Sequence, residues 1–213
     1  MGFSTLLDIL GSTIIGGMLL LILLRLNETA VANSFQYNGE LIVQKNLVEV
    51  VELLEFDLRK IGYCADWTAL PDPGKSIIAA DSTSITYLTD LPTLTEANGD
   101  GVVDTLRYYL GPASELLGTP NPNDRMLYRK KNSETPLAAN LGITKFNFKF
   151  YDTFGSEIPF PITMPGEIQS MQIDLAIEEV AAYNAQYTND DGKLYRQVFW
   201  RQIRLAARNL GNR

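Results

Sequence analysis

The chain has 213 residues, of which 46% are hydrophobic and 20% are charged, and this is enough to bury the core of one domain. Its 18 basic and 25 acidic residues give a net charge of −7, which argues against nucleic acid as the main partner. The absence of histidine excludes Ser-His-Asp and Cys-His catalytic sites, and the single cysteine, Cys64, excludes an internal disulfide and a cysteine-cluster zinc site.

The first 70 residues contain none of the ten prolines, which predicts one long helix over residues 5–61. Arg59 and Lys60 are expected in its last turn, where basic side chains complement the negative end of the helix dipole. Gly62 is expected just after the helix, in the left-handed conformation that glycine adopts readily.

Residues 1–26 form the predicted hydrophobic anchor. Asp8 is the only charged residue between positions 3 and 24. A helix of about 20 apolar residues crosses a bilayer, so this segment is long enough to span one. A cleaved secretory signal is the alternative, but it requires a basic segment before the apolar run and a small-residue cleavage site after it. The first basic residue is Arg25, after the apolar run, so we interpret the segment as a retained anchor.

Residues 27–62 are predicted to form an amphipathic stalk. The part between Asn27 and Glu40 is rich in residues that are poor in helix interiors, so we expect the helix to bend or melt there. The later part has apolar residues at helical spacing and charged residues largely opposite, which predicts one face packed on the domain that follows. The apolar positions of that face are Leu47, Val50, Val51, Leu54, Leu58 and Ile61.

Residues 63–213 are predicted to form an antiparallel β domain packed on the stalk. Apolar and polar residues alternate over residues 143–151 and 170–177, as they do in half-buried strands. Weaker patterns predict strands over residues 76–80, 84–88, 105–110, 126–130, 181–188 and 194–207, with a turn at residues 189–192 joining the last two as a hairpin. The predicted fold class is α+β, a long N-terminal helix packed on an antiparallel β-sheet.

Several segments together give the chain a resemblance to type IV pilin-like proteins. It is most similar to their larger minor subunits, the W class of type IV pilus minor pilins and the J class of type II secretion pseudopilins. The segments cover nearly the whole chain in the order that the family shows. They are residues 2–7, 56–63, 98–101, 104–110, 146–152 and 204–210.

The resemblance implies a structural, non-enzymatic protein: a minor pilin or pseudopilin of a type IV pilus-like filament or a type II secretion pseudopilus. It implies an anchor in the inner membrane with the β domain outside the cytoplasm, and an extracellular or periplasmic filament after assembly. Its partners would be membrane lipid before assembly, other pilin-like subunits through the N-terminal helix, and a prepilin peptidase. Cleavage by that peptidase would fall between Gly2 and Phe3.

The same resemblance implies which residues serve assembly. The glutamate of the family falls on the position of Leu7, and the acid in this chain is the next residue, Asp8. We expect Asp8 to pair with a charge on a neighbouring subunit, because a carboxylate in an apolar segment needs a partner. Phe3 begins the helix after the expected cleavage. Gly16 and Gly17 would allow neighbouring helices to approach closely.

No cofactor is expected, and calcium is the one candidate. Residues 96–104 follow the first nine positions of a calcium-binding loop, with Asn98, Asp100 and Asp104 as the candidate ligands. Arg107 stands at the twelfth position, where a bidentate acid closes such a site. We therefore favour the alternative, a simple Asn-Gly and Asp-Gly turn between strands.

The stretch after residue 192 is basic and contains no acid. One interpretation is a basic face for an acidic neighbouring subunit, an anionic glycan or DNA. The other, which we favour, is an edge strand that its charges protect from aggregation, held by acids of its own domain. The basic residues are Lys193, Arg196, Arg201, Arg204, Arg208 and Arg213.

Two other functional classes compete with the structural subunit. A membrane-tethered adhesin or glycan-binding β domain is the alternative function, supported if several of Trp67, Trp200 and the ten tyrosines are exposed together. A membrane-tethered hydrolase built on paired carboxylates is the third class, and it is disfavoured because the sequence carries no other catalytic signal.

Overall fold

The computed structural model describes residues 2–119, 121–178, 198–206 and 209–210. A single helix, α1 (Gly2–Leu58), occupies the N-terminal part of the chain. The chain divides into two compact units, Met1–Leu41 and Ile42–Arg213. The second unit contains the last turns of α1 and all the described strands.

The helix is unbroken between Asn27 and Glu40, so the melting predicted there is wrong. Each poor helix former costs only about 1 kcal/mol or less. Breaking the helix would instead create two new ends, each with backbone groups that lack intrahelical partners.

The predicted end of the helix is wrong by one turn. Arg59 and Lys60 lie after Leu58, in tight turns where the amide of Lys60 donates to the carbonyl of Asp57 at 3.1 Å. This shorter spacing is typical of a helix that tightens as it ends. Gly62 has φ of 74°, which confirms the predicted left-handed position.

The described part of the chain contains an antiparallel sheet of eight strands in the order β1-β2-β3-β4-β5-β7-β8, with the short β6 paired to β5. Three single-turn 3₁₀ helices lie at Pro73–Lys75, Ala113–Leu116 and Pro165–Glu167. The strands are β1 (Ile77–Asp81), β2 (Ser84–Thr89), β3 (Asp104–Leu110), β4 (Arg125–Lys131), β5 (Leu137–Tyr151), β6 (Glu157–Ile158), β7 (Ser170–Glu178) and β8 (Val198–Leu205).

The predicted strands correspond closely to β1–β4 and β7, but β5 begins at Leu137 rather than at residue 143. The extra residues lack an alternating pattern. They are extended because residues 137–139 pair with β4, whereas residues 145–151 pair with β7, and Gly142 with φ of 72° stands between the two. The predicted strand 181–188 and the turn 189–192 lie outside the described residues.

One face of the sheet packs on the last turns of α1, and the predicted α+β class is confirmed. Val50, Val51, Leu54, Leu58 and Ile61 are all buried, and Leu47 packs against them as a half-buried side chain. The sheet supplies alternate residues of β5 and β7, as the period of two predicts. Those buried residues are Phe146, Phe148, Phe150, Met171, Ile173, Leu175 and Ile177.

Candidate functional site

The N-terminal part of α1 is an apolar surface that nothing within the described chain covers. Its large apolar side chains from Phe3 to Leu26 are each more than half exposed. An 18-residue window of this helix has a mean hydropathy of 2.2 and contains no buried residue, so α1 is long and apolar enough to cross a membrane. Such a surface is stable in lipid or against other apolar helices rather than in water.

The hydroxyl groups in this segment are bonded to the helix itself. Ser12 and Thr13 donate to the carbonyl of Ile9 at 2.9 and 2.6 Å, and Thr5 donates to the carbonyl of Gly2 at 3.1 Å. Bonds of this kind satisfy polar side chains without water, as an apolar environment requires. Asp8 differs, because no described residue forms a hydrogen bond or ion pair with its carboxylate.

The predicted assembly residues do not all lie on one side of the helix. Asp8, Ser12 and Gly16 follow one another at intervals of four residues and therefore share a face. At about 100° per residue, Phe3 and Gly17 point well away from Asp8. Gly16 and Gly17 both have open space where a Cβ would stand. The geometry therefore groups Gly16, but not Gly17, with Asp8.

The predicted processing position lies at the start of α1. Gly2 is the first helical residue, and Phe3 is exposed. Cleavage between these residues remains a prediction.

Two of the three predicted calcium ligands, Asp100 and Asp104, already have partners within the fold. Asn98 is exposed, and the Asp100 carboxylate accepts from the amide of Val102 at 3.0 Å. Asp104 is buried, with its carboxylate 3.2 Å from the ammonium of Lys131. Within the described residues, no three acidic or cysteine side chains come close enough together to hold a metal ion. Calcium binding by this loop remains a prediction.

A different acid, Asp90, organises this loop. Its carboxylate is fully buried and accepts from the amides of Ala65, Asp100 and Gly101 at 3.0, 3.1 and 2.9 Å. The role of Asp90 was not predicted from the sequence. The available signal was the Asn-Gly-Asp-Gly turn, because glycines with positive φ aim successive amides at one point and so create a site for an anion.

The buried contact between α1 and the sheet contains a second group that sequence analysis missed. The Asp57 carboxylate accepts from the Tyr108 hydroxyl and from Nε of Arg129, the latter at 2.7 Å. Arg129 also donates to the Tyr108 oxygen at 3.1 Å. Burial, followed by the negative charge of Asp57, raises the pKa of Tyr108 well above its usual value. Tyr108 is therefore a neutral phenol that is hydrogen-bonded to both members of the Asp57–Arg129 ion pair.

These internal groups tie the second unit together, whereas the apolar side chains from Phe3 to Leu26 are exposed. Asp57, Asp90 and Asp104 all have partners within the fold. Asp8 has none among the described residues, and it lies in the exposed apolar segment. The N-terminal segment of α1 is therefore the candidate functional site.

A comparison with models of known protein families finds no match, and a comparison with curated proteins also finds none. Among solved structures, the chain is similar to a type IV-like pilin from Thermus thermophilus, with 11% sequence identity and a TM-score of 0.46. The match covers 79% of this chain and 98% of that protein. At this identity and TM-score the similarity supports no functional assignment.

Proposed function

We propose that the protein is a membrane-anchored structural subunit, a minor pilin or pseudopilin of a type IV pilus-like filament or type II secretion pseudopilus. The observation that carries the proposal is the exposed apolar segment of α1, which continues as a helix into the core of an antiparallel β domain. The anchor would hold the subunit in the inner membrane before assembly, with the β domain outside the cytoplasm.

Assembly follows from the physical requirements of this helix. Once the segment leaves the bilayer, its apolar side chains must be covered, and equivalent helices of neighbouring subunits provide a matching surface. The face of Asp8, Ser12 and Gly16 combines a carboxylate without a described partner, a hydroxyl bonded to its own helix, and a position without a side chain. A neighbouring helix that brings a positive charge to Asp8 would pack closely at Gly16.

The counter-charge for Asp8 is the amine of a neighbouring chain if the protein is cleaved between Gly2 and Phe3. Without cleavage, it is a basic group of another subunit. In either case, the carboxylate is proposed to contribute to assembly and not to folding, because no described residue of its own chain forms a hydrogen bond or ion pair with it.

The test compares filament incorporation of variants expressed in the native cell, measured by co-purification with sheared filaments. Asp8→Ala and Gly16→Leu are expected to reduce incorporation while membrane association and folding of the β domain stay normal. Glu28→Ala, an exposed acid on the same helix, is the matched control and is expected to have little effect.

Two results would contradict parts of the proposal. Normal incorporation of Asp8→Ala would remove this carboxylate from the mechanism. A wild-type chain that never co-purifies with another pilin-like subunit would remove the filament function itself.

A further inference from the structure

The solvent face of β5, β7 and β8 carries a regular patch of polar side chains that filament assembly through α1 does not use. Strand register places these residues in three rows across the three strands. We call it the sheet patch. Its rows are Lys149, Gln172 and Arg204; Asn147, Asp174 and Gln202; and Lys145, Ala176 and Trp200.

The sheet patch is large enough for several sugar rings. Neighbouring strands lie about 4.8 Å apart and successive rows about 7 Å apart, so the patch measures about 10 by 14 Å between Cα atoms. The intervening residues of β5 and β7, among them Phe146, Phe148 and Ile173, are buried on the other face. The core therefore fixes the strands that present the patch.

Hydrogen bonds hold the amide groups of the sheet patch in place. The Asp174 carboxylate accepts from the amides of Gln172 and Gln202 at 3.2 and 3.0 Å. The side-chain amide oxygen of Gln172 accepts from the hydroxyl of Tyr151 at 3.2 Å. Side chains fixed in this way lose less conformational freedom when they bind a ligand with hydroxyl groups.

The charge of the sheet patch opposes that of the whole protein. It contains Lys145, Lys149 and Arg204 against one acid, Asp174, in a chain with net charge −7. Lys149 pairs with Glu157 at 3.2 Å. No described acid pairs with Lys145 or Arg204, and the guanidinium of Arg204 lies over the Tyr151 ring at 4.8 Å.

Arg204 also lines a cleft near the end of α1. A cleft of about 400 Å³ is lined, among the described residues, by Arg59, Arg204, Leu205 and Ala206. Arg59 comes just after α1 and its guanidinium pairs with Glu55 at 3.1 Å, whereas the guanidinium of Arg204, on β8, lies over the Tyr151 ring and is the one without an acidic partner among the described residues. Guanidinium groups are suited to carboxylate, which they bind with two parallel hydrogen bonds.

Trp200 provides an aromatic surface at another corner of the sheet patch. Its side chain is 74% exposed, and its neighbour on β7 is the small residue Ala176. A large aromatic side chain left open on a rigid sheet contributes nothing to the core. It does offer a flat surface on which the apolar face of a sugar ring packs.

We infer that the sheet patch binds an acidic polysaccharide, a chain of sugar rings that carry carboxylates. The amides of Asn147, Gln172 and Gln202 contact hydroxyl groups, Trp200 packs on one ring, and Arg204 and Lys145 bind carboxylates. A single-stranded nucleic acid fits less well, because its bases stack on successive exposed aromatic side chains. Beside the sheet patch, the Tyr151 ring is covered by Arg204.

The test measures binding of the full chain, purified in nonionic detergent, to immobilised alginate, a linear polymer of sugar acids. Dextran is the uncharged comparison, and a single-stranded DNA oligonucleotide is the nucleic acid comparison. We expect binding to alginate, with much weaker binding to dextran and to DNA. Trp200→Ala and Arg204→Gln are each expected to weaken alginate binding about tenfold, the usual effect of losing one stacked ring or one charge-assisted contact.

Two residues outside the sheet patch serve as matched controls. Trp67 is 70% exposed, and the guanidinium of Arg107 lies over the Tyr109 ring at 4.8 Å, the distance at which Arg204 lies over Tyr151. Trp67→Ala and Arg107→Gln are expected to leave binding unchanged. Lys145→Gln, at an exposed position, keeps the test informative if a β8 variant fails to fold.

Each other result would overturn the inference. These results are no retention on alginate, equal retention on dextran, tighter binding to DNA than to alginate, or equal losses in the control variants. Detergent-purified protein requires no assembly, so this test does not depend on the filament proposal. Variants of the sheet patch are expected to enter filaments normally.

Discussion

The Asp57 carboxylate of α1 and the Arg129 guanidinium of β4 form an ion pair across the core, with Nε of Arg129 2.7 Å from the carboxylate. The Asp57 side chain is 2% exposed and that of Arg129 is 25% exposed. Removing one member of a buried pair leaves the other charge uncompensated.

We therefore predict that Arg129→Met lowers the free energy of unfolding by about 3–5 kcal/mol. Arg59→Met is the matched control, because Arg59 pairs with Glu55 at 3.1 Å on the surface, where such a pair contributes about 0.5 kcal/mol. Urea unfolding of the two variants measures both values. Similar small losses in both variants would show that the Asp57 pair does not stabilise the contact of α1 with the sheet.

Two buried tyrosines beside this pair are expected to respond differently to loss of their hydroxyl groups. Tyr108 donates to Asp57, whereas the Tyr87 hydroxyl is buried without a hydrogen-bond partner among the described residues. Tyr108→Phe is expected to cost about 1–3 kcal/mol, because Asp57 loses a donor. Tyr87→Phe is expected to leave stability unchanged or to raise it. Thermal unfolding of the two variants distinguishes them, and a larger loss in Tyr87→Phe would contradict the assignment of partners.

Two consecutive leucines of α1 test the packing of the stalk on the sheet. Leu54 is fully buried, and Leu53 is 41% exposed. Leu54→Ala is expected to cost about 2–5 kcal/mol by opening a cavity in the core. Leu53→Ala provides the control, because it has the same change in composition and helix propensity but creates no cavity. Equal shifts in unfolding midpoint would mean that this face of α1 is not part of the core.

Gly99 tests the role of the Asp90 carboxylate as the centre of its loop. Gly99 has φ of 101°, and a Cβ at this position would stand 2.2 Å from the Asp90 carboxylate. Gly99→Ala is expected to destabilise the fold by more than the roughly 1–2 kcal/mol of a left-handed alanine alone. Gly155→Ala, at φ of 78° in open space, measures that backbone cost alone, and Gly118→Ala, also in open space, measures neither effect. Gly99→Ala should be the least stable of the three in urea.

The periodicity of the sequence was enough to predict the helix, most strands and the residues that face the core. Each of these features depends on residues that are close together in the sequence. The alternation of apolar and polar residues around Phe148 is an example. The ion pair of Asp57 with Arg129 depends instead on partners 72 positions apart. It was beyond prediction from local pattern, because the order and register of the strands decide which side chain meets Asp57.

The same limit explains the candidate sites. Asp8 was evident as a charge within an apolar run, and its grouping with Gly16 rather than Gly17 follows from residue spacing within the predicted helix, which the structure contains. The basic C-terminal stretch was evident too. Arg204 lies beside Tyr151 and Gln172 because β8 pairs with β7. Residue composition does not predict which strands pair.

The most direct test of the central claim maps what covers the apolar segment of α1 in assembled protein. In a Cys64→Ser background, Ser12→Cys places one thiol on the face of Asp8, and a benzophenone maleimide attached there reacts on illumination with whatever lies beside it. Ser133→Cys, in an exposed turn, is the control. We predict adducts from Ser12→Cys to the N-terminal helix of another pilin-like subunit in the sheared-filament fraction. Adducts to lipid alone in that fraction, or the same protein adducts from both positions, would contradict assembly through α1.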